Sequence, residues 1–381
     1  MKIPLSWLQL THEKIRLLVA LAGISFADML MFMQLGFQDA LFDSSIKIHQ
    51  NFAGDIFLMS PQSEALFSTK TFSSRRLYES LAVAGVASVS PVYVDLALWK
   101  NPVSRNTRSI LIVGFNPTDN IFDIPEVQHN LDIIKLQDVV LFDAQSRAEF
   151  GPVAQQFNEG KTVTTEVASR RIKVGGLFSL GASFAADGNI ITSDLNYIRL
   201  FNREKGLIDI GIIRLEPQAN RDLVMQALRE KLPKDVKVFS KEEFIEHERK
   251  YWETSTAIGF IFSLGTAMGF IVGIVIVYQI LYTDVADHLP EYATLKAIGY
   301  TDFYFILLVV QESVILAFLG YIPGCIIANL LYALASGATN LPIAMTISKA
   351  TTVFILTLIM CSVSGAIAIR KLRAADPADI F

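Results

Sequence analysis

The sequence predicts a membrane protein with four transmembrane helices, helical stalks and a large α+β domain inserted between the first and second helices. Three observations carry this reading. Of the 381 residues, 52% are hydrophobic and the mean hydropathy is +0.41, which for a chain of this size points to a membrane protein with a soluble part. Four apolar segments, residues 15–37, 257–282, 303–334 and 351–369, come near or exceed the roughly 20 residues a spanning helix needs. Between the first two lie residues 38–256, long enough for one or two cores of their own.

Residues 1–14 carry Ile3, Leu5, Trp7, Leu8 and Leu10 beside Lys2 and Gln9, the pattern of a short amphipathic segment at the inner interface. The alternative is an extension of the first span, since Pro4 suits a helix start and Thr11 a cap. The 15–37 span is longer than a signal-peptide core and no cleavage motif follows it, so it is expected to stay as an anchor. Lys2, Lys14 and Arg16 flank the first span, and Arg370, Lys371 and Arg373 follow the fourth. Both termini are therefore expected in the cytoplasm, with residues 38–256 and the loop 335–350 outside, and with the turn 283–302 and the tail 370–381 inside. The acidic inner turn runs against the charge rule, and the termini decide. The third span holds Gly320, Pro323 and Gly324, which predict a kink or a break.

Two stalks are expected to extend the first and second spans. On the first, Phe37, Leu41, Ile48 and Phe52 continue an apolar stripe. On the second, Ser240 and Glu243 have capping-box spacing and no proline occurs from Lys241 to Tyr282, so one helix of roughly 60 Å is predicted. Phe244, Ile245, Glu248, Tyr251 and Trp252 recur on it at three- and four-residue steps, so the stalks are expected to pack as an antiparallel pair. Inside the bilayer, Gly265, Gly269 and Gly273 form two overlapping G-x-x-x-G motifs, and the first span offers Gly23 and Ala27. Close helix approach follows. Whether the partner is the chain's own first span or a second copy stays open.

In the inserted domain, strand-like residues 55–59, a helix over 73–84 and strands over 89–99 and 108–115 are matched by a strand, helix and strand over 210–215, 220–231 and 236–239. Two such halves suggest a split α+β sandwich. Residues 124–203, glycine-rich with strand-like stretches, read as a separate, mostly β, inserted lobe.

Little of the chain reads as reactive chemistry. Gly160-Lys161-Thr162 lacks the earlier glycine of a phosphate loop, since Gln155 stands there. The five histidines, His12, His49, His129, His247 and His288, have no metal-ligand spacing, so no metal and no catalytic residue are expected. Cys325 and Cys361 fall at different depths of the third and fourth spans, which argues against a disulfide. Asp28 and Glu312 are intramembrane acids, costly enough to be functional by default: a proton or substrate-headgroup site, or else a carboxyl hydrogen-bonded between helices near Gln34, Gln311 or Ser263.

The turn 283–302 is too short and polar to span. Pro290 suits a helix start, and Tyr292, Leu295 and Ile298 at three-residue steps suggest one apolar side facing a partner, with Asp284, Asp287 and Glu291 making an acidic first half. Val285, Glu291, Leu295, Lys296, Ala297 and Gly299 resemble the turn of the MacB and FtsX permease family. His288 stands where that family often has arginine, and Tyr292-Ala293 replaces Ile-Gly. The wording from His288 through Ala297, and Phe26-Ala27-Asp28-Met29 in the first span, is similar to the DevC branch.

The resemblance implies a homodimeric inner-membrane permease of a DevBCA-type exporter, with porter-like and Sabre-like exported lobes in the periplasm. Its expected partners are a cytoplasmic DevA-like ATPase, a DevB-like membrane-fusion adaptor and a TolC-like outer-membrane channel. The coupling residues it implies are Val285, Asp287, His288, Glu291, Tyr292, Leu295, Lys296, Ala297 and Gly299. No cofactor is expected on this chain, because ATP and Mg would sit on the partner ATPase; no nucleic acid is expected either. The rival readings are an FtsX-like regulator of a periplasmic hydrolase and a lipoprotein-extracting permease.

Overall fold

The structure is a computed structural model that describes residues 12, 14–339 and 341–374. The expected interfacial segment with Trp7, and the last seven residues of the tail, lie outside the described residues. The described residues form two compact units: a helical unit within residues 14–40, 257–339 and 343–374, and a sheet-bearing unit of residues 41–256 with 341–342.

Helix α1 (Lys14–Asn51) runs without a break through residues of both units. In the sheet-bearing unit follow strands β1 (Ile56–Met59), β2 (Phe72–Ser73), β3 (Val86–Lys100), β4 (Thr107–Phe115), β5 (Val139–Asp143), β6 (Thr164–Val167), β7 (Arg170–Phe178), β8 (Asn189–Ser193), β9 (Leu207–Ile208), β10 (Ile210–Leu215) and β11 (Lys237–Ser240), then helix α2 (Lys241–Lys250). The helical unit continues with α3 (Ala257–Asp287), α4 (Leu289–Ile298), α5 (Asp302–Thr339) and α6 (Ile347–Ala374).

Nine strands form one sheet in the order β11-β1-β10-β3-β4-β8-β5-β7-β6. Period-two alternation explains why the strands read as nearly continuous apolar runs: on β4, Ile110 and Ile112 enter one core, whereas Leu111, Val113 and Phe115 enter the other. Both faces are buried. Helices Ser74–Glu79 and Arg221–Lys231 cover the first face with Leu77, Val224 and Leu228. Aromatic residues Phe52, Phe57, Phe122 and Phe244 fill the second.

Residues 124–203 do not build a sheet of their own. Their strands β5 to β8 hydrogen-bond into the common sheet, with β8 parallel to β4 through the register Ile112↔Ile190. A bridge between Trp99 and Val167 brings β6 back to β3, so six strands curl into a closed ring around Trp99, Phe142 and Phe150. Closure removes one sheet edge. The expected separate lobe is thus replaced by one sheet, because parallel pairing joins strands far apart in sequence.

A second departure lies in the predicted long helix over 241–282. The Ser240–Glu243 capping box is present, with Ser240 accepting from the Glu243 amide and the Glu243 carboxylate accepting from the Ser240 amide. Yet α2 ends at Lys250, a wide π-type turn covers Tyr251–Ser255, and Thr256 is extended at φ −113°, ψ 154°. There Thr254 and Thr256 donate their hydroxyls to the carbonyls of Lys250 and Trp252, 2.8 and 2.7 Å away.

Among the described residues, four helices are long and apolar enough to cross a membrane, one each within α1, α3, α5 and α6. On α3, Phe260, Leu264, Met268 and Ile271 are exposed, as a lipid-facing stripe requires. The glycines set the packing. A Cβ at Gly265 would lie 2.5 Å from Gln34, one at Gly269 would lie 3.2 Å from Met31, and one at Gly273 would meet Met360 and Ala27. One at Gly23 would lie 2.5 Å from Ile276. The G-x-x-x-G face of α3 therefore packs on this chain's own α1 and on α6. A further pair, Gly320 and Gly324 of α5, packs on Ile24 and on Ser25 and Asp28.

No break occurs at Pro323, since α5 is continuous from Asp302 to Thr339. A proline leaves the carbonyl four residues back without its donor, and a neighbouring helix can supply polar contacts at such a gap. Ser25 Oγ donates to the Gly320 carbonyl at 2.9 Å, next to the affected residue.

Candidate functional site: the turn between α3 and α5 and the stalk junction

The turn between α3 and α5 is built by local rules. His288 ends α3 and caps α4, Pro290 falls in the first turn of α4, where a missing N–H costs nothing, and Gly299 closes it in the left-handed region at φ +111°. The Gly299 amide donates to the Lys296 carbonyl and the Tyr300 amide to the Leu295 carbonyl, both at 3.1 Å. That closing geometry is why a glycine ends the motif.

The turn is clamped to its own bundle. Arg16 Nη2 donates to Asp287 Oδ2 at 2.5 Å, and its Nη1 stands 3.8 Å from Asp284 Oδ1. His288 Nδ1 lies 3.6 Å from the same Asp284 oxygen. Val285 and Tyr292 are buried with Phe305, Leu308 and Val309, the Tyr292 and Phe305 rings 5.4 Å apart; Leu295 packs against the same cluster.

The expected single apolar side is therefore corrected. A helix turns about 100° per residue, so three-residue steps drift, and Tyr292 and Ile298 end about 120° apart. Tyr292 is 3% exposed but Ile298 is 72% exposed. The face open to a partner carries Glu291, Thr294 and Ile298, with Ala297 and Gly299 also exposed. Thr294 was not among the expected coupling residues, although a seven-residue spacing from Glu291 to Ile298 would have marked that face. Of those residues, Asp287 is exposed but engaged by Arg16, and His288 and Lys296 are half-buried.

The stalk residues meet in the sheet-bearing unit. The His49 ring of α1 lies tilted against that of Phe244 of α2, with centroids 4.6 Å apart, and Phe244 stacks on Phe57 at the same distance. Leu41, Ile48, Phe244 and Trp252 are buried, and Tyr251 is half-buried. Glu248, only 2% exposed, is a polar knot rather than a packing residue. Its carboxylate accepts from Trp252 Nε1 at 2.9 Å and from the Leu66 amide at 2.8 Å, and stands 3.3 Å from His49 Nε2. Burial alone would raise this carboxyl. The charge and hydrogen bond of His49, with the bonds from Trp252 and Leu66, outweigh that and hold it below the usual range. Leu66 gave no signal in the sequence, because its contribution is a backbone amide.

The two intramembrane acids are fully buried. Asp28 lies 2.6 Å from Thr357 Oγ1, and that hydroxyl also reaches the Val353 carbonyl at 2.8 Å. Thr357 was not foreseen as its partner. Gln34, expected nearby, packs instead at Gly265. Neither Glu312 oxygen has a hydrogen-bond partner among the described residues. Cys325 and Cys361 are free thiols.

Residues 258–377 match the family model described as FtsX-like permease C-terminal. Among curated proteins none matches the chain. Solved structures that overlap it include the periplasmic region of MacB from Actinobacillus actinomycetemcomitans, at 12% identity and TM-score 0.35, covering 51% of this chain and 92% of that one. The extracellular domain of the noncanonic ABC-type transporter YknZ from Gram-positive bacteria overlaps at 14% identity and TM-score 0.32, covering 49% and 99%. A domain of a putative permease protein from Porphyromonas gingivalis does so at 13% and 0.29, covering 50% and 88%. Overlaps this loose assign no function.

Proposed function

We propose that the chain is a permease subunit of an ABC exporter, driven by a separate ATPase that docks on the inner turn. The observation that carries this reading is the outward face of α4: Ile298, 72% exposed, beside Glu291 on a turn inside the segment that matches the FtsX-like permease model. An apolar residue so placed, with an acidic neighbour, suits a docking groove with a basic rim.

In this reading ATP binding and hydrolysis supply the work, and this chain passes it on. A push on α4 is felt by the Tyr292 cluster on α5 and, through Asp284 and Asp287, by Arg16 on α1. Because α1 continues to Asn51, the displacement reaches His49 and the knot at Glu248. Substrate is expelled on the outer side and need not pass between the spans. A second copy of the chain, a membrane-fusion adaptor and an outer-membrane channel complete the proposed assembly, with an amphiphile such as a glycolipid as cargo; the DevC-like wording of the turn and of the first span supports this finer reading. The FtsX-like match also favours a second reading, in which the same lever regulates an exported hydrolase. Copurification separates them: an adaptor protein is expected with the exporter and a hydrolase with the regulator.

The coupling test is substitution on the open face. Ile298→Asp and Glu291→Lys should leave the protein inserted and folded but abolish copurification of the ATPase. Undiminished ATPase recovery by both, at matched expression, would refute docking on this face.

A further inference from the structure

We propose that the sheet-bearing unit holds a binding site for the phosphate-bearing headgroup of an anionic lipid, in a groove between β11 and the end of α2. The groove, of about 360 Å³, is lined by Lys237 of β11, by His247 and Lys250 of α2, and by Tyr251 and Ser255 of the wide turn. Glu64 is the one carboxylate among its lining residues. Lys237 and Lys250 are exposed, and neither takes part in an ion pair among the described residues. This contrasts with Arg221, Arg229 and Arg249 nearby, which are engaged by Glu242, Glu243 and Asp43. Two unneutralised ammonium groups facing one concavity ask for an anion.

Covalent chain length says where that anion comes from. Ser255 stands two residues before Ala257, where α3 begins, and two residues span at most about 7 Å. The polar layer on each side of a bilayer is itself on the order of 5–7 Å deep, so the lip of the groove lies at headgroup level once α3 enters the membrane. Tyr251, half-buried just before the span, is a residue type that settles at that level. His247 Nε2 faces the Ser63 carbonyl at 3.3 Å, which leaves the two lysines as the groups that recognise phosphate. The inference requires α3 to be a membrane span; it does not depend on ATPase docking or on transport.

The test uses the full chain in nanodiscs of phosphatidylcholine doped with phosphatidylglycerol, released and weighed by native mass spectrometry. Wild type should retain phosphatidylglycerol in preference to phosphatidylcholine. A lysine near an anionic surface is worth about a fivefold factor, so Lys237→Gln with Lys250→Gln should lower retention about 30-fold. Lys234→Gln, outside this groove, should leave it unchanged. Equal retention by the double variant, or an equal loss in Lys234→Gln, would overturn the site. Displacement of the lipid by excess inorganic phosphate would make the occupant a soluble phosphate and overturn the lipid assignment.

Discussion

Replacing Glu248 by alanine tests the stalk junction most directly. The substitution removes the acceptor of two buried donors, Trp252 Nε1 and the Leu66 amide, and the partner of His49, whose side chain is 1% exposed. An orphaned buried donor costs about 1–3 kcal/mol, and breaking a buried ion pair by removing one member costs about 3–5 kcal/mol. These overlap, since they describe one desolvated cluster, so the expected loss is about 3–5 kcal/mol in all. For a unit of roughly 200 residues each kcal/mol moves the midpoint by about 2–4 °C, giving a fall of about 6–20 °C in calorimetry of the detergent-solubilised protein. His49→Ala and the double variant complete a cycle, which should be non-additive by more than about 1 kcal/mol. The same carboxyl predicts an acid response. Its folded pKa is depressed below the ordinary 4.5, so its contribution is full above that value and is lost as the pH falls through the lower folded one. In Glu248→Gln that part of the acid sensitivity should vanish. A midpoint within about 2 °C of wild type for Glu248→Ala, or simple additivity with His49→Ala, would refute the reasoning.

Two further predictions concern the helical unit. Asp28→Asn should unfold within about 1 kcal/mol of wild type, because an amide can donate to Thr357 Oγ1 while that hydroxyl donates to the Val353 carbonyl; a loss of more than about 3 kcal/mol in thermal unfolding would show that a charged carboxylate is required. Gly273→Leu should lower stability by about 1–3 kcal/mol or more, since even a Cβ there would meet Met360 and lie 2.9 Å from Ala27; unchanged thermal stability and yield would show that α3 does not pack as described.

Length and hydropathy made the four apolar helices legible, and the Ser240–Glu243 box marked the start of α2, because these signals are local in sequence. The misreadings have local causes as well. Thr254 and Thr256 look harmless between two helical stretches, yet the regular helix gives way there to a wide turn and an extended residue. On α4 the three-residue repeat of Tyr292, Leu295 and Ile298 mimics a stripe, but only three- and four-residue steps in alternation keep to one side of a helix. Other features are non-local. The parallel pairing of β4 with β8 and the meeting of Asp28 with Thr357, 329 positions later, leave no pattern in either partner's neighbourhood. Pro323 sits in an unbroken helix beside Ser25 of another helix, a pairing that only the folded bundle brings about.

The extended residue at Thr256 separates two kinds of mechanical connection. Through α1 the units share an unbroken hydrogen-bonded rod, which resists bending and carries axial thrust and twist alike. At Thr256 the backbone leaves helical dihedrals, and the residue is held instead by its hydroxyl, which donates to the Trp252 carbonyl at 2.7 Å. Of the chain's passages between the units, the one along α1 is thus a continuous helix, whereas the one at Thr256 interrupts helical bonding.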